Sequence, residues 1–454
     1  MIGNRGSMTR RGLAASSAAV LGGVVLAACG GAAGSGTNDR AASTPAVGRR
    51  AVTLRTWHWD SFQIEPQTRN GQDLTARYPN VKVELERVPQ NEYLDKLFAQ
   101  ITGGAPPDTV GVSVTGNMNV LQSKGTLTTL DPMMKRDQYD LADFFDHTLQ
   151  NHKWGGKHVG LPYNWTVVTW FFNEDLFRRV GAKTPYEHWK AGTWHWDQYM
   201  DLAHGFRRLG EDLYGTGNIP AQNTNIGFPF VWSNDGEVYD KDYTKALFDQ
   251  APAMQTWEFM YKASQLAPKG DVAKTSTPQA GKVAMWFDWL PRYFLYRTQY
   301  LTEMQFTYGV VPPPAAPKTK TSVFTSNSPG WGIVKDSPNQ EESWALIKQL
   351  VSVDGMRRNY LEAASPPARK SLAASREFWR SHPDLPNPDV MLELAEARAK
   401  SAHIPPRLSN FADLQAVLRE EFGAAWADQQ SVRDAALKSA QRATLLLKEG
   451  QVDK

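Results

Sequence analysis

A single cysteine, Cys29, stands in a chain of 454 residues. One thiol excludes an internal disulfide, and a thiolate metal site would need further ligands close by. A nucleophilic cysteine sits beside a base in a shaped pocket; Cys29 lies instead in VVLAACGGAAGSG, a run of small and apolar residues. An excess of one charge is also missing, because 50 basic residues face 47 acidic ones for a net +3. Without a basic tract there is no electrostatic case for nucleic-acid binding. Long apolar runs are scarce: the small and apolar stretch 13–28 has 16 residues, short of the roughly 20 that a membrane-spanning helix needs. His58, His147, His152, His158, His188 and His195 are scattered, which argues against a metal site. After Cys29 there is no HExxH, no phosphate-binding loop, no GxSxG and no dinucleotide fingerprint. Neither a cofactor nor a metal is expected.

The amino terminus carries Arg5, Arg10 and Arg11 with no acid, followed by the apolar stretch. That order is a basic n-region and an h-region, the layout of a secretory signal. The stretch ends in LAAC, which resembles the lipobox of bacterial lipoproteins, where the cysteine is diacylated and becomes the first residue. The resemblance implies a signal peptide over 1–28 and a lipid anchor (a palmitate-type acyl group among its chains) on Cys29, at the outer face of the cytoplasmic membrane. Two acyl chains hold stably because each buried methylene contributes about 0.8 kcal/mol. An ordinary secretory signal ending at a chance cysteine is the alternative. The pair Arg10–Arg11 leaves twin-arginine export open beside the general route. Removal of 1–28 takes away three arginines and no acid, leaving a mature chain with no net charge. Residues 29–50 are small, polar and aperiodic, a flexible tether with a reach of about 25 Å.

From Ala51 onward the pattern is that of a folded chain long enough for two domains. VTLRTWHWD (52–60) alternates with period two, as does VKVELERV (81–88), and a polar segment of helix length separates them. NEYLDKLFAQITGG then aligns Tyr93, Leu94, Leu97, Phe98 and Ile101 on one stripe and stops at Gly103–Gly104. TVGVSV (109–114) is a further strand. This alternation predicts an α/β fold with a largely parallel sheet. SWALIKQLV (343–351) and residues 411–447 have helical spacing. In GTWHWDQYMDLA, Thr193 or Asp197 is expected to cap the helix that follows.

The ordered motifs LRTWHWD, YPNVKVELERVPQNEYLDKLFAQITGGAPPD, GTLTTLD, GLPYNWTVVTWFFNEDLF, GTWHWDQYMDLA, VWSNDGEVYD, GKVAMWFDW, YGVVPPP, GWGI and SPPARKS together resemble family 1 extracellular solute-binding proteins. These are the ligand-capturing lipoproteins of ABC importers, and the match runs from about residue 52 to 447. Asp235–Gly236 and the bulky Trp286–Phe287 depart from the family pattern. The resemblance implies a two-lobed periplasmic-binding-protein-like fold with crossing hinge strands and a ligand cleft between the lobes. The crossings would fall near 161–166, 308–314 and 360–366. Lobe one would span 51–163 plus 310–362, and lobe two 164–309 plus 363–454. The implied protein is a monomer that captures a carbohydrate-like solute (a sugar, oligosaccharide or polyol) and delivers it to the permease subunits of the importer.

Sixteen tryptophans supply flat apolar faces that stack on sugar C–H surfaces at about 1 kcal/mol each, by analogy with aromatic pairs. Trp57 and Trp59 end a strand, Trp165 sits at the expected hinge, and Trp289 and Trp331 neighbour Pro, Asp or Gly. Each position also suits core packing; for Trp289 and Trp331 the resemblance favours the cleft. Asp60, Asn164, Asp288 and Arg369 are the polar candidates, able to make charge-assisted hydrogen bonds to hydroxyls. Arg369 matches the family's arginine in the PAR motif, which often faces the cleft. The rival reading is an exported, lipid-anchored glycoside-processing enzyme using Asp60 and Asp288 as a carboxylate pair. Such a pair must stand about 5–10 Å apart across the scissile bond.

Overall fold

The computed structural model describes residues 50–454 apart from 114–115, 211, 218, 222, 293–303, 364, 383–387, 406, 451 and 454. The signal segment, Cys29 and nearly all of the tether lie outside the described residues. The first strand, Val52–His58, buries Val52, Leu54 and Thr56 on alternate positions, and the helix Ser61–Arg77 leads into the second strand, Val81–Arg87. The two strands pair in parallel with Val52 opposite Val81. The intervening helix has an amide-rich buried face of Gln63, Gln67 and Asn70 with Leu74. The helix Tyr93–Thr102 buries Tyr93 and Leu97 and ends where the Gly103 amide donates to the Ala99 carbonyl. The strand Thr109–Val112 then returns beside the first strand.

Two strands from later in the chain complete this first sheet, whose order is 81–87, 52–58, 109–112, 330–333, 161–162. Gly330–Ile333 runs antiparallel to Thr109–Val112 and to Leu161–Pro162. The sheet is therefore parallel over its first three strands and antiparallel over the rest, which corrects the expectation of a largely parallel sheet. Gly330–Ile333 arrives from the second lobe and Leu161–Pro162 leads out towards it, so no helical crossover within the first lobe fixes their direction.

The second lobe holds a four-stranded sheet in the order 308–311, 168–173, 283–289, 214–216. It is antiparallel except for the pair Tyr214–Thr216 with Val283–Trp289. Its central strand, Val168–Asn173, is buried on both faces. On one face lie Trp170, Phe172, Tyr199, Phe230 and Phe259, and on the other Phe171, Trp286 and Tyr308. The carboxy-terminal region is two helices, Phe411–Trp426 and Val432–Glu449. Between them Asp428 takes a left-handed turn (φ 59°), and the Ser431 hydroxyl accepts from the Asp434 amide to start the second helix.

The crossings differ in part from those expected. Residues 163–167 link Leu161–Pro162 of the first sheet to Val168–Asn173 of the second. Tyr308–Val311, however, is a full member of the second sheet, and the chain crosses later, between Phe324–Thr325 and Gly330. Residues 365–380 pack on the first lobe: Phe378 and Trp379 lie against Tyr360, and the Phe145 amide donates to the Ala368 carbonyl. The helix cap in GTWHWD is also different. His195 occupies the N-cap without a side-chain bond, while the Thr193 hydroxyl bonds to His188 instead.

Candidate functional site

Between the sheets lies a cleft of about 590 Å³, within the range of roughly 300–1,000 Å³ typical of small-molecule sites. Its first-lobe wall is Trp59 and Asp60 just after the first strand and Phe62 in the first turn of the helix Ser61–Arg77, with Gln90 and Ser113 from beyond the ends of the next two strands. The floor is Asn164 and Thr166 from one crossing and Asn327 and Pro329 from another. The two crossings touch each other, Thr166 bridging to Asn327. The second-lobe wall is Pro220, Asn223, Asn225, Trp289, Pro291, Arg292, Gln415 and Arg419.

The first-lobe wall is built on His58. Its ring is fully buried, and burial pushes its pKa down to about 3, so it is neutral. The Asp60 amide donates to its Nδ1 (3.1 Å), which leaves Nε2–H to donate to the Tyr163 hydroxyl at 3.1 Å. Trp59 stacks on the same ring, with centroids 4.4 Å apart and planes 17° from parallel. From below, Trp331 and Tyr163 meet it at 5.1 and 5.9 Å. Gly111 makes room for this arrangement: a Cβ there would lie 2.9 Å from both the His58 and the Trp59 rings. Trp59 and Asp60 are thus fixed before any solute arrives.

Asp60 is the one carboxylate among the described residues lining the cleft. Burial raises its pKa to about 6; the Arg292 and Arg87 charges and a hydrogen bond from the Trp59 side chain oppose the rise without cancelling it. Arg292 faces it from the second lobe, and its Nε also stands 4.0 Å from Asp288. On the floor, the Asn164 side-chain amide donates to the Ser365 hydroxyl (2.9 Å), which also receives Gln63 at 3.0 Å. The Ser113 hydroxyl donates to Asn327 Oδ1 at 3.1 Å. These bonds orient the floor amides, and their remaining donors and acceptors suit a polyhydroxylated solute.

Of the residues singled out from sequence, Trp59, Asp60, Asn164 and Trp289 come together at the cleft. The other five do not line it. Trp57 is 3% exposed and packs edge-on to Tyr93. Trp165 points away from its cleft-lining neighbours Asn164 and Thr166 into the core, where the Arg398 guanidinium lies 5.0 Å from its ring. Trp331 is wholly buried beneath His58. Arg369 belongs to the first lobe: its guanidinium donates to Asp143, Tyr139 and the Val351 carbonyl and covers Phe144. Asp288 accepts from the Trp289 amide at 2.7 Å and faces Arg292, beside the cleft.

Sequence reading missed Gln90, Ser113, Asn223, Asn225, Asn327, Gln415 and the two arginines. For Arg292 a signal existed, since it lies three residues after Trp289 in WFDWLPRY. Gln415 and Arg419 are four residues apart on the helix Phe411–Trp426 and so share a face, but nothing local says that this face meets the cleft.

A polar cleft between two α/β lobes joined by crossing strands defines a solute receptor of the periplasmic-binding-protein class. The family model for bacterial extracellular solute-binding proteins matches residues 66–357. The chain belongs to that family. It is similar to a putative binding protein of Brucella abortus, 24% identical over 320 residues that cover 68% of this chain and 74% of that one. Among solved structures it resembles an ABC substrate-binding protein from Listeria monocytogenes in complex with cycloalternan. The TM-score is 0.74 at 18% identity, covering 87% of this chain and 99% of that one. A maltose-bound MalE3 of T. maritima gives 0.71 at 20% identity, covering 87% and 100%. Among the described residues no helix is long and apolar enough to cross a membrane.

Proposed function

We propose that the protein is the substrate-binding component of an ABC importer that captures a carbohydrate-like solute in this cleft and hands it to the membrane permease. The observation that carries this reading is the pairing of one indole from each lobe, Trp59 and Trp289, with Asp60, Arg292 and floor amides in a single cleft. Indole faces take sugar C–H surfaces, while carboxylate, guanidinium and amides take hydroxyls. The solved structures that share the fold hold sugars such as cycloalternan and maltose, in keeping with that chemistry. A lipid on Cys29, in the sequence context described above, would keep the monomeric receptor beside its permease at the outer face of the membrane. Anchoring has its own test: Cys29→Ala should move the protein to the soluble fraction with its melting temperature unchanged, and persistent membrane association in high salt would contradict it.

The receptor reading is tested by thermal melts against a panel of sugars, polyols and peptides. A binding saccharide present at about 100 times its Kd should stabilise the protein by about 2.7 kcal/mol. Stabilisation by peptides alone would overturn the carbohydrate assignment. Incubation of any bound oligosaccharide with the protein should leave it intact; turnover abolished by Asp60→Asn would favour the glycosidase instead.

A further inference from the structure

The charges around the cleft do not balance. Arg419 lines the second-lobe wall and makes no ion pair or hydrogen bond with any described residue. Arg292, on the same wall, has the offset contact to Asp288 as its ion pair. A third guanidinium lies under the floor. Arg398 is 1% exposed, donates to His147 Nε2 at 2.7 Å and to the carbonyl of the floor residue Asn327 at 3.4 Å, and covers Trp165. No described carboxylate pairs with it, its Nε is buried without a partner, and His147, pushed down to about 2 chiefly by burial, brings no charge of its own. Against these three guanidiniums stand two carboxylates, Asp60 in the first-lobe wall and Asp288 beside the cleft, and the Arg292 charge acts on both.

We propose that the solute is an anionic saccharide, one bearing a carboxylate or phosphate, whose acidic group sits against Arg419 while its hydroxyls reach Asp60 and the floor amides. This rests on the receptor reading and narrows it. Arg419 is exposed at the cleft, so with a neutral sugar water alone meets its charge. An acidic group supplies the missing partner, and a guanidinium receives carboxylate or phosphate oxygens through two parallel N–H donors. Arg398, within low-dielectric protein, adds positive potential at the floor that solvent screens poorly. Gln415, one turn before Arg419 on the same helix, adds an amide donor beside that position.

The test is calorimetric titration of the full chain with matched pairs: galacturonate against galactose, digalacturonate against its dimethyl ester, and glucose 6-phosphate against glucose. In at least one pair the acidic member should bind ten times more tightly or better, about 1.4 kcal/mol. That advantage should shrink as salt rises from about 0.01 M to about 0.15 M, where the Debye length falls from roughly 30 Å to about 8 Å. The uronate and phosphate pairs decide which acidic group is accepted. Arg419→Gln should abolish the advantage by weakening the acidic member at least ten times more than it weakens the neutral one. Neutral members that bind as tightly as their acidic counterparts, or an Arg419→Gln variant that weakens both equally, would overturn the proposal and leave the receptor intact. Failure of every saccharide, acidic and neutral, to bind would remove the receptor reading itself.

Discussion

Asp60 is held in position by its own backbone: the amide is fixed to His58, and the carboxyl is carried into a wall with little water around it. Its folded pKa, about 6, lies above the roughly 3.9 of an unfolded aspartate. The folded protein therefore binds this proton more tightly than the unfolded chain does. The resulting stability is complete below about pH 4 and is lost as pH rises through about 6. Asp60→Asn, which cannot ionise, should match the wild type near pH 4 and exceed it above about pH 7, by up to about 3 kcal/mol. Solute-free melts across that range read the difference, and a variant less stable than the wild type at neutral pH would contradict this picture of a desolvated carboxylate. A solute hydroxyl donating to Asp60 favours its ionised form, so affinity should increase with pH over the same window.

The tryptophans separate into two kinds by the same measurement. Trp289→Ala should weaken solute binding tenfold or more, about 1.4 kcal/mol, with little change in the solute-free melting temperature. Trp331→Ala removes a fully buried ring under His58 and should cost about 3–5 kcal/mol of stability. Equal effects of the two changes on stability would mean that Trp289 is core as well. At this scale sequence gave partial sight of the site. Composition marks tryptophan as a stacking residue, but only backbone direction tells Asn164 and Thr166, which face the cleft, from Trp165 between them, which faces the core.

Among the elements, the legible ones carry their own period or stop signal. The strands at 52–58 and 81–87 show alternation, and the helix 93–102 shows a stripe that ends at glycine. The helix 61–77 shows neither, because it buries glutamines and an asparagine that bond one another and partners such as Ser365. The strand at 330–333 and the late crossing at 326–329 are set by pairing with segments more than a hundred residues away, so no local pattern foretells them. Gly111 shows how tightly one element limits another. Gly111→Ala drives a methyl into His58 and Trp59, which should destabilise the protein by about 1–3 kcal/mol and lower solute affinity through the displaced Trp59 ring. Unchanged binding and melting temperature would show that the wall yields freely there. Arg369, by contrast, sits in a family motif, yet its Asp143, Tyr139 and Phe144 partners make it a clamp within the first lobe.

At the scale of the molecule, two walls with complementary groups face each other over crossing strands, and a solute that bridges them favours the arrangement in which both walls touch it. Shifting the lobes from about 1% to about 99% closed requires roughly 5.5 kcal/mol of differential affinity. Stacking on Trp59 and Trp289 together with charge-assisted bonds to Asp60 and Arg292 is enough chemistry for that, whereas contact with one wall alone is not. Small-angle scattering of the protein, with and without a saccharide that stabilises it in the melts, reads this directly. The account predicts a smaller radius of gyration at saturation than in the solute-free protein, and loss of the change in Trp289→Ala at the same solute concentration. A radius unchanged at full occupancy would contradict it, because a receptor whose solute leaves the lobes where they were is not using both walls of the cleft.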